Sequence, residues 1–208
     1  MTNDIMFFIE CHSNPATDLN NRNLIPAGFD LIQMTGSSNV SLSTGQICFA
    51  KPSMRNKLFL LADNSNEPDS ILQYFEISLF KLDIDITNTV YICVVYSHPT
   101  HSQSAFITRF NNFIEKHIDW RQLDNSFYVI GDLNFDYNPN MMVYKGLKQR
   151  QLDIVNPSNA SAGYYATTDS GSRLDVCLTN VRDKSKYSHF LYESYFSDHK
   201  PLILQLLQ

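Results

Sequence analysis

Glycine, proline and positive charge are scarce in this chain, and no long apolar run is present. Its 208 residues include 7 Gly and 8 Pro, which excludes collagen-like and low-complexity proteins and indicates an ordinary globular one. The formal net charge of -5 argues against a protein that coats nucleic acid with a broadly positive surface. Basic groups within 145–150 and 182–186 leave open a local basic patch, with a solvated face as the alternative.

Cysteine is also sparse. The 4 cysteines are far apart, and three stand inside apolar strand-like runs, ICFA, YICVVY and LDVCLT. They have neither zinc-ligand spacing nor a disulfide framework, and they suit small buried residues in a reducing compartment. The N-terminus lacks a basic stretch followed by a long apolar core, and no window approaches the roughly 18 apolar residues of a membrane helix. We expect an intracellular protein, cytoplasmic or nuclear, with no membrane partner.

The chain does contain many short apolar runs that are rich in β-branched and aromatic residues, and such runs predict strands. They lie at 4–10, 29–34, 46–50, 57–61, 74–84, 89–96, 127–131, 173–179 and 202–207. The run at 74–84 alternates apolar with polar residues and predicts a half-exposed antiparallel strand. The runs at 89–96 and 127–131 are apolar throughout, which predicts strands covered on both faces.

Two helices are predicted, one at 102–118 from apolar spacing and a shorter one at 141–150. The apolar face of the first consists of Phe106, Phe110, Phe113, Ile114 and Ile118. This face predicts core packing and not a cofactor site. The stretches 62–70 and 156–172 are rich in Asn, Ser, Asp and Gly, which predicts loops. Because no linker divides the chain, a single domain over 1–208 is expected, in the layered α/β class.

Polar side chains stand directly beside several of the predicted strands. They are Glu10, Tyr96, His98, Asp132, Asn134, Asp175, Asp198 and His199. Taken singly, each has an ordinary explanation as a solvated strand end or a turn. Gly131 and Asn134, for example, suit a turn in which the Asn side chain bonds to the backbone. Glu10, Asp132 and Asp198 are also oxygen ligands of the kind that Mg²⁺ uses.

Asp175 is informative by itself because it interrupts the apolar run RLDVCLT. A carboxylate within such a strand must be exposed on one face or paired, and His199 could be its partner. A carboxylate raises the pKa of a histidine held against it, which suits the ring to bind a phosphate or to donate a proton. The chain has no Cys/His cluster, no GxSxG and no glycine-rich phosphate loop, so zinc sites, serine hydrolases and P-loop proteins are not indicated.

The order of these groups resembles that of the endonuclease/exonuclease/phosphatase superfamily, which has the deoxyribonuclease I-like fold. Glu follows a first strand, Tyr-x-x-Pro a second and GDLN (131–134) a third, RLD lies within a fourth, and SDHKP (197–201) precedes the last. The resemblance spans 4–207 and looks closest to the endonuclease domains of retroelements. It implies a four-layer α/β sandwich, with two mixed β-sheets packed face to face and helices outside.

The resemblance also implies a DNA endonuclease that uses Mg²⁺, or Mn²⁺, and leaves a 3′-hydroxyl and a 5′-phosphate. Glu10 would hold the metal with Asp198 nearby. Asp132 would orient and deprotonate the attacking water, and Asn134 would help to fix the water and the phosphate.

The remaining roles concern the phosphate and the DNA. His199, oriented by Asp175, would bind a non-bridging phosphate oxygen, and Tyr96 would add a further contact to the phosphate. His98 and Arg173 flank the implied site and could touch the DNA backbone, with ordinary surface roles as the alternative.

Family members usually begin with a strand that ends in Asn, in a pattern like WNV, and then a helix, and both are missing before Glu10. Three explanations stay open: a shortened protein, a homodimer or partner chain that supplies the strand, or a domesticated descendant. The alternatives to an active nuclease are a structural, self-associating protein and a phosphatase or phosphodiesterase acting on a lipid or small molecule. The chain lacks a membrane-binding stretch, which disfavours the lipid substrate.

Overall fold

The computed structural model describes residues 4–11, 25–36, 44–119, 126–159, 165–192 and 197–206. The chain forms two compact units, Met1–His98 and Pro99–Gln208. Strands predominate in the first unit, and strands with two longer helices form the second. This composition is the α/β class that the sequence predicts. The single domain over 1–208 stays a prediction.

The first unit has six strands among its described residues. They are β1 (Ile5–Phe8), β2 (Asp30–Met34), β3 (Ile47–Ala50), β4 (Leu58–Asp63), β5 (Phe75–Asp83) and β6 (Thr89–Ser97), and a short helix, α1 (Asp69–Leu72), precedes β5. β3 lies between β1 and β2 and pairs antiparallel with both. β5 lies between β4 and β6, again antiparallel. All six overlap predicted apolar runs, because such side chains pack well on a pleated sheet.

The strand β5 is more deeply buried than its alternating sequence predicts. Glu76 and Ser78, polar members of the alternation, are as inaccessible as their apolar neighbours. Polar groups from β2 and from the residue just before β3 cover this face: Gln33 Nε2 donates to Ser78 Oγ at 2.8 Å, and Ser78 Oγ donates to Gln46 Oε1 at 2.6 Å. The prediction of a half-exposed strand is therefore wrong, because the covering residues are distant in the sequence.

The second unit has five strands and two helices among its described residues. They are α2 (Gln103–His117), β7 (Ser126–Asp132), α3 (Met142–Gln149), β8 (Asp153–Ile154), β9 (Asp175–Thr179), β10 (Tyr187–Leu191) and β11 (Leu202–Leu206). β9 pairs antiparallel with β7 on one side and with β8 on the other. β10 and β11 form a separate antiparallel pair. The apolar centres of β7 and β9 are buried, and they bring the polar ends of these two strands together.

The helix α2 confirms the prediction from apolar spacing. Ser102 caps its N-terminus, where Oγ accepts a hydrogen bond from the Ala105 N–H at 3.2 Å. Its buried face consists of Phe106, Phe110, Ile114 and, just beyond the helix, Ile118. Phe113, predicted on the same face, is only half-buried and packs its ring on His117 at 4.8 Å. None of the helices in the described ranges is long and apolar enough to cross a membrane.

The helix α1 and the strands β8 and β10 are absent from the sequence-based prediction. The helix α1 and the end of β4 both enter the stretch 62–70 that was predicted as a loop. The strand β8 has only two residues, and β10 (YSHFL) mixes polar with apolar side chains. Segments this short or mixed carry too little periodicity to identify a strand or a helix.

Candidate active site

Two carboxylates meet at one end of the antiparallel pair β7 and β9. The register places Asp132 directly opposite Asp175, and residues opposite each other in such a pair project to the same face of the sheet. The buried apolar residues Val129 and Leu178, which are also opposite each other, set this register. Both carboxylates are buried, so each requires polar partners close by.

The GDLN segment forms a turn that holds an amide against Asp132. Asp132 Oδ1 accepts a hydrogen bond from the Asn134 N–H at 2.7 Å, and Asn134 Nδ2 donates to Asp132 Oδ2 at 2.9 Å. Asn134 has φ 53° and Gly131 has φ 142°, left-handed conformations that Asn and Gly adopt more readily than other residues. The two hydrogen bonds fix the orientation of the Asp132 carboxylate.

His199 is bonded to the second carboxylate. Its Nδ1 lies 2.8 Å from Asp175 Oδ2 and 4.0 Å from Asp132 Oδ2. The hydrogen bond with Asp175 raises the pKa of His199 to about 9, with the negative charges of Asp175, Asp132 and Asp198 adding to it and burial opposing it. The ring is therefore protonated at neutral pH. With 30% of its side chain exposed, it stays accessible to a substrate.

The same cluster offers ligand atoms of the kind that a metal ion binds. Asp132, Asp175 and His199 each offer a ligand atom, and these atoms lie within 4.8 Å of one another. The carboxylate oxygens suit a hard divalent cation. His199 suits it less well, because Nδ1 is engaged with Asp175 and a protonated ring has no free lone pair. The donors fit a cation held by carboxylates, with a charged imidazole beside it.

Asp198, predicted as a metal ligand, lies next to His199 and is exposed. Its backbone oxygen accepts a hydrogen bond from the Asp169 N–H at 2.9 Å, which ties the SDHKP segment to the loop before β9. Its carboxylate contributes to the raised pKa of His199. The structure therefore brings Asp132, Asn134, Asp175, Asp198 and His199 into one cluster within the second unit.

Glu10, the other predicted metal ligand, belongs to the first unit. It follows β1 with φ 52°, a conformation uncommon for a residue of this type and often found at functional sites. The next residue, Cys11, donates its N–H to the Gly45 carbonyl at 3.0 Å. Glu76 accepts the Gly45 N–H with both carboxylate oxygens, each at 2.9 Å. The buried Glu76 therefore supports the loop that holds the backbone after Glu10.

Sequence reasoning missed Glu76, although a glutamate near the start of an apolar strand was a visible signal. Only 2% of its surface is exposed. Burial raises the pKa of Glu76 to about 7, the hydrogen bond from Gly45 opposes this shift, and the negative charge of Glu10 adds to it. The negative charge of Glu10 thus favours the protonated form of Glu76.

Tyr96 and His98 lie at the end of β6. Tyr96 is buried and stands directly opposite Glu76 in the register of β5 and β6. His98 donates its N–H to the Tyr74 carbonyl at 3.0 Å, and its ring contacts the Tyr74 ring edge to face at 5.9 Å. The contacts of Tyr96 and His98 with a phosphate or DNA stay predictions.

Arg173, of the RLD motif, faces the interior, with 2% of its surface exposed. Its guanidinium lies between the rings of Tyr137 and Tyr165, 4.2 and 3.8 Å from their centroids. Nη2 donates to Asn156 Oδ1 at 3.1 Å, and the backbone N–H donates to Asp136 Oδ1 at 2.8 Å. These contacts tie the segment after GDLN to the RLD motif, and they favour a structural role over the predicted contact with the DNA backbone.

The sequence matches no protein-family model, and no curated protein matches it. The chain is similar, however, to several solved structures. The endonuclease domain of TRAS1, a telomere-specific non-LTR retrotransposon, has a TM-score of 0.60 at 16% identity, over 86% of this chain and 78% of that one. The mannosyl-6-phosphatase Bt3783 of Bacteroides thetaiotaomicron VPI-5482 has a TM-score of 0.60 at 16% identity, over 99% and 85%. TDP2 of D. rerio, complexed with a single strand DNA product, has 0.54 at 11%, over 96% and 84%.

These structures establish the fold. The chain has the fold of the endonuclease/exonuclease/phosphatase proteins, the deoxyribonuclease I-like fold, as its GDLN and SDHKP motifs predict. Proteins of this fold in the comparison include nucleases and a phosphatase. Both classes hydrolyse phosphate esters.

Proposed function

We propose that the chain is a metal-dependent phosphodiesterase that nicks DNA and leaves a 3′-hydroxyl and a 5′-phosphate. One observation carries this proposal: His199, hydrogen-bonded to Asp175, lies beside Asp132, whose carboxylate is oriented by Asn134. A cationic donor next to an oriented carboxylate is an arrangement suited to hydrolysis of a phosphate ester.

In the proposed reaction, Asp132 accepts a proton from the attacking water while Asn134 keeps its carboxylate in position. His199 donates a hydrogen bond to a non-bridging phosphate oxygen, where negative charge increases in the transition state. Asp175 keeps the imidazole oriented and protonated. Tyr96 is proposed as a further contact to the phosphate.

A divalent ion, Mg²⁺ or Mn²⁺, is the proposed cofactor, and Glu10 and Asp198 are the carboxylates proposed to hold it. When bound, such an ion offsets negative charge on a phosphate and favours ionisation of water. Carboxylates as the proposed ligands support this choice of ion, since hard divalent cations prefer oxygen ligands.

DNA is the proposed substrate because two of the similar solved structures point to it. One is a retrotransposon endonuclease domain, and the other was solved with a single strand DNA product. A phosphatase acting on small phosphate monoesters is the second candidate, favoured by the equal TM-score of the mannosyl-6-phosphatase.

A plasmid assay tests the proposal. Supercoiled plasmid incubated with the protein and Mg²⁺ should give nicked circles that DNA ligase can reseal, because ligase requires a 3′-hydroxyl and a 5′-phosphate. EDTA should abolish nicking, and Asp132→Ala should reduce its rate at least about 10²-fold, the usual contribution of a general base. Asp153→Ala removes an exposed carboxylate of β8 in the same unit and should leave the rate unchanged.

The other outcomes distinguish the alternatives. Hydrolysis of small phosphate monoesters without plasmid nicking would favour the phosphatase. Absence of both activities, together with no Mg²⁺ binding by calorimetry, would favour a structural protein, and a concentration-dependent mass of the native assembly would then support self-association.

A further inference from the structure

Thr167 lies in the loop before β9 and is fully buried, with 0% of its surface exposed. No motif in the sequence marks it, since it stands in a stretch, 156–172, whose composition predicts an ordinary loop. We infer that Thr167 is a positioning residue that holds Asp175 and His199 in register with each other, an inference that rests on the proposed function of that pair.

The side chain of Thr167 fixes the start of β9. Its Oγ1 accepts two hydrogen bonds, from the Leu174 N–H at 2.9 Å and from the Asp175 N–H at 3.0 Å. A hydroxyl oxygen has two lone pairs, and here both receive a donor from the peptide groups at which β9 begins. The hydroxyl therefore locates the backbone from which the Asp175 carboxylate projects.

The backbone of Thr167 fixes the segment that carries His199. Its carbonyl accepts the Lys200 N–H at 2.8 Å, and the next residue, Thr168, forms an isolated antiparallel bridge with His199. The Thr167 N–H donates to the Ser172 carbonyl at 2.8 Å, which closes the loop. A single buried residue thus bonds to both chain segments whose side chains meet in the Asp175–His199 hydrogen bond.

The chemistry of the side chain allows a specific test. Valine has the shape of threonine but cannot accept a hydrogen bond, so Thr167→Val would leave two buried N–H groups without their acceptor. Serine keeps the acceptor and loses only a methyl group. A role in positioning therefore predicts that Thr167→Ser rescues what Thr167→Val loses.

Thr179 provides a matched control at the other end of β9. It is also a buried threonine. Its Oγ1 donates to the Phe127 carbonyl at 2.8 Å and accepts the Val181 N–H at 3.0 Å. Thr179→Val therefore removes a comparable pair of hydrogen bonds from the same strand, away from Asp175. Loss of stability is common to both variants, whereas displacement of His199 is expected from only one.

The first readout is the NMR signal of the His199 Nδ1 proton, which the bond to Asp175 should shift downfield and protect from exchange. It is recorded without metal or DNA, and it is assigned by its absence in His199→Gln. We expect the signal in the wild type, Thr167→Ser and Thr179→Val, and its loss or broadening in Thr167→Val. Retention of the signal in Thr167→Val would overturn the inference.

The second readout is plasmid nicking at a temperature where all variants are folded. Thr167→Val should lower kcat about ten- to hundredfold with little change in KM, because a small misplacement of reacting groups affects mainly the chemical step. Equal kcat values for Thr167→Val and Thr179→Val would also overturn the inference.

Two outcomes, a variant that does not fold and a wild type without nicking activity, are treated separately. If Thr167→Val does not fold, Thr167→Cys replaces the hydroxyl with a weakly accepting sulfur, and its His199 signal should be weaker than that of Thr167→Ser; equal signals would count against positioning. If the wild type nicks no DNA, the proposed function fails, while the NMR comparison still decides the role of Thr167.

Discussion

At the scale of single residues, the hydrogen bond to Asp175 raises the pKa of His199 to about 9, and the negative charges of Asp175, Asp132 and Asp198 add to this shift. Replacing Asp175 with Asn should lower the pKa of His199 from about 9 toward its ordinary value of 6.5, since the hydrogen bond to Asp175 is the largest cause of the shift. An NMR titration of the ring in both proteins measures this change. Asp153→Asn, an exposed carboxylate in the same unit, should leave the value near 9. A wild-type pKa near 6.5 would contradict the arrangement described here.

The raised pKa of His199 also makes the stability of the protein depend on pH. A raised pKa means that the folded chain holds this proton more tightly than the unfolded chain does. The contribution is fully present below pH 6.5 and is lost as the pH rises through about 9. Urea unfolding across this window should give a falling free energy of unfolding, with a smaller decrease in His199→Gln. Equal decreases in the two proteins would refute the link.

The raised pKa of Glu76 predicts a similar dependence of stability on pH, at lower pH values. Because burial raises its pKa from 4.5 to about 7, its contribution to stability is present below pH 4.5 and is lost as the pH rises through about 7. Glu76→Gln keeps an oxygen that can accept the Gly45 N–H but removes the titration, so the free energy of unfolding should vary less over this range. Glu67→Gln, at an exposed position, should behave as the wild type, and a Glu76 variant with an unchanged slope would contradict the prediction.

At the scale of structural elements, the loop segments around GDLN and RLD are held by the stack of Arg173 between Tyr137 and Tyr165. Arg173→Ala should lower the free energy of unfolding by about 2–4 kcal/mol, since it removes two desolvated cation–π contacts and the hydrogen bond to Asn156. Arg173→Lys should recover little, because an ammonium lacks the planar guanidinium that stacks between two rings. Urea unfolding measures both values.

The control separates a structural from a DNA-binding role. Arg182→Ala removes an exposed arginine of the same unit and should change stability by no more than about 0.5 kcal/mol. If Arg173→Ala instead kept full stability and only raised KM for DNA, Arg173 would be a DNA contact after all.

Among the elements, long apolar strands and the capped helix α2 could be predicted because their pattern repeats within one segment. β8, β10 and α1 could not, because each is too short or too mixed to show a period. The GDLN turn was predictable for a similar reason: Asp132 and Asn134 are two residues apart, and their hydrogen bonds are local.

At the scale of the whole molecule, the net charge of -5 bears on how the proposed DNA substrate would be bound. An excess of acidic over basic residues argues against an extensive basic surface, so the affinity for DNA should fall only moderately with salt, with a log–log slope of magnitude below about 4. Fluorescence anisotropy with Asp132→Ala, which avoids cleavage, measures this slope with the Mg²⁺ concentration held constant. A slope near about -8 would indicate an extensive basic surface and would contradict the prediction.

The sequence by itself determined the long apolar strands, the helix α2, the order of the motifs and hence the fold, because these depend on local periodicity and on short contiguous signatures. Only the tertiary structure decided that Asp175 bonds to His199, that Glu76 and Arg173 are buried, and that Thr167 bonds to both segments of the candidate site. The physical reason is that each of these facts depends on strand register and on contacts between residues distant in the chain. The burial of these side chains then shifts the pKa of Glu76 and limits which hydrogen bonds they form. No pattern within one segment predicts that burial.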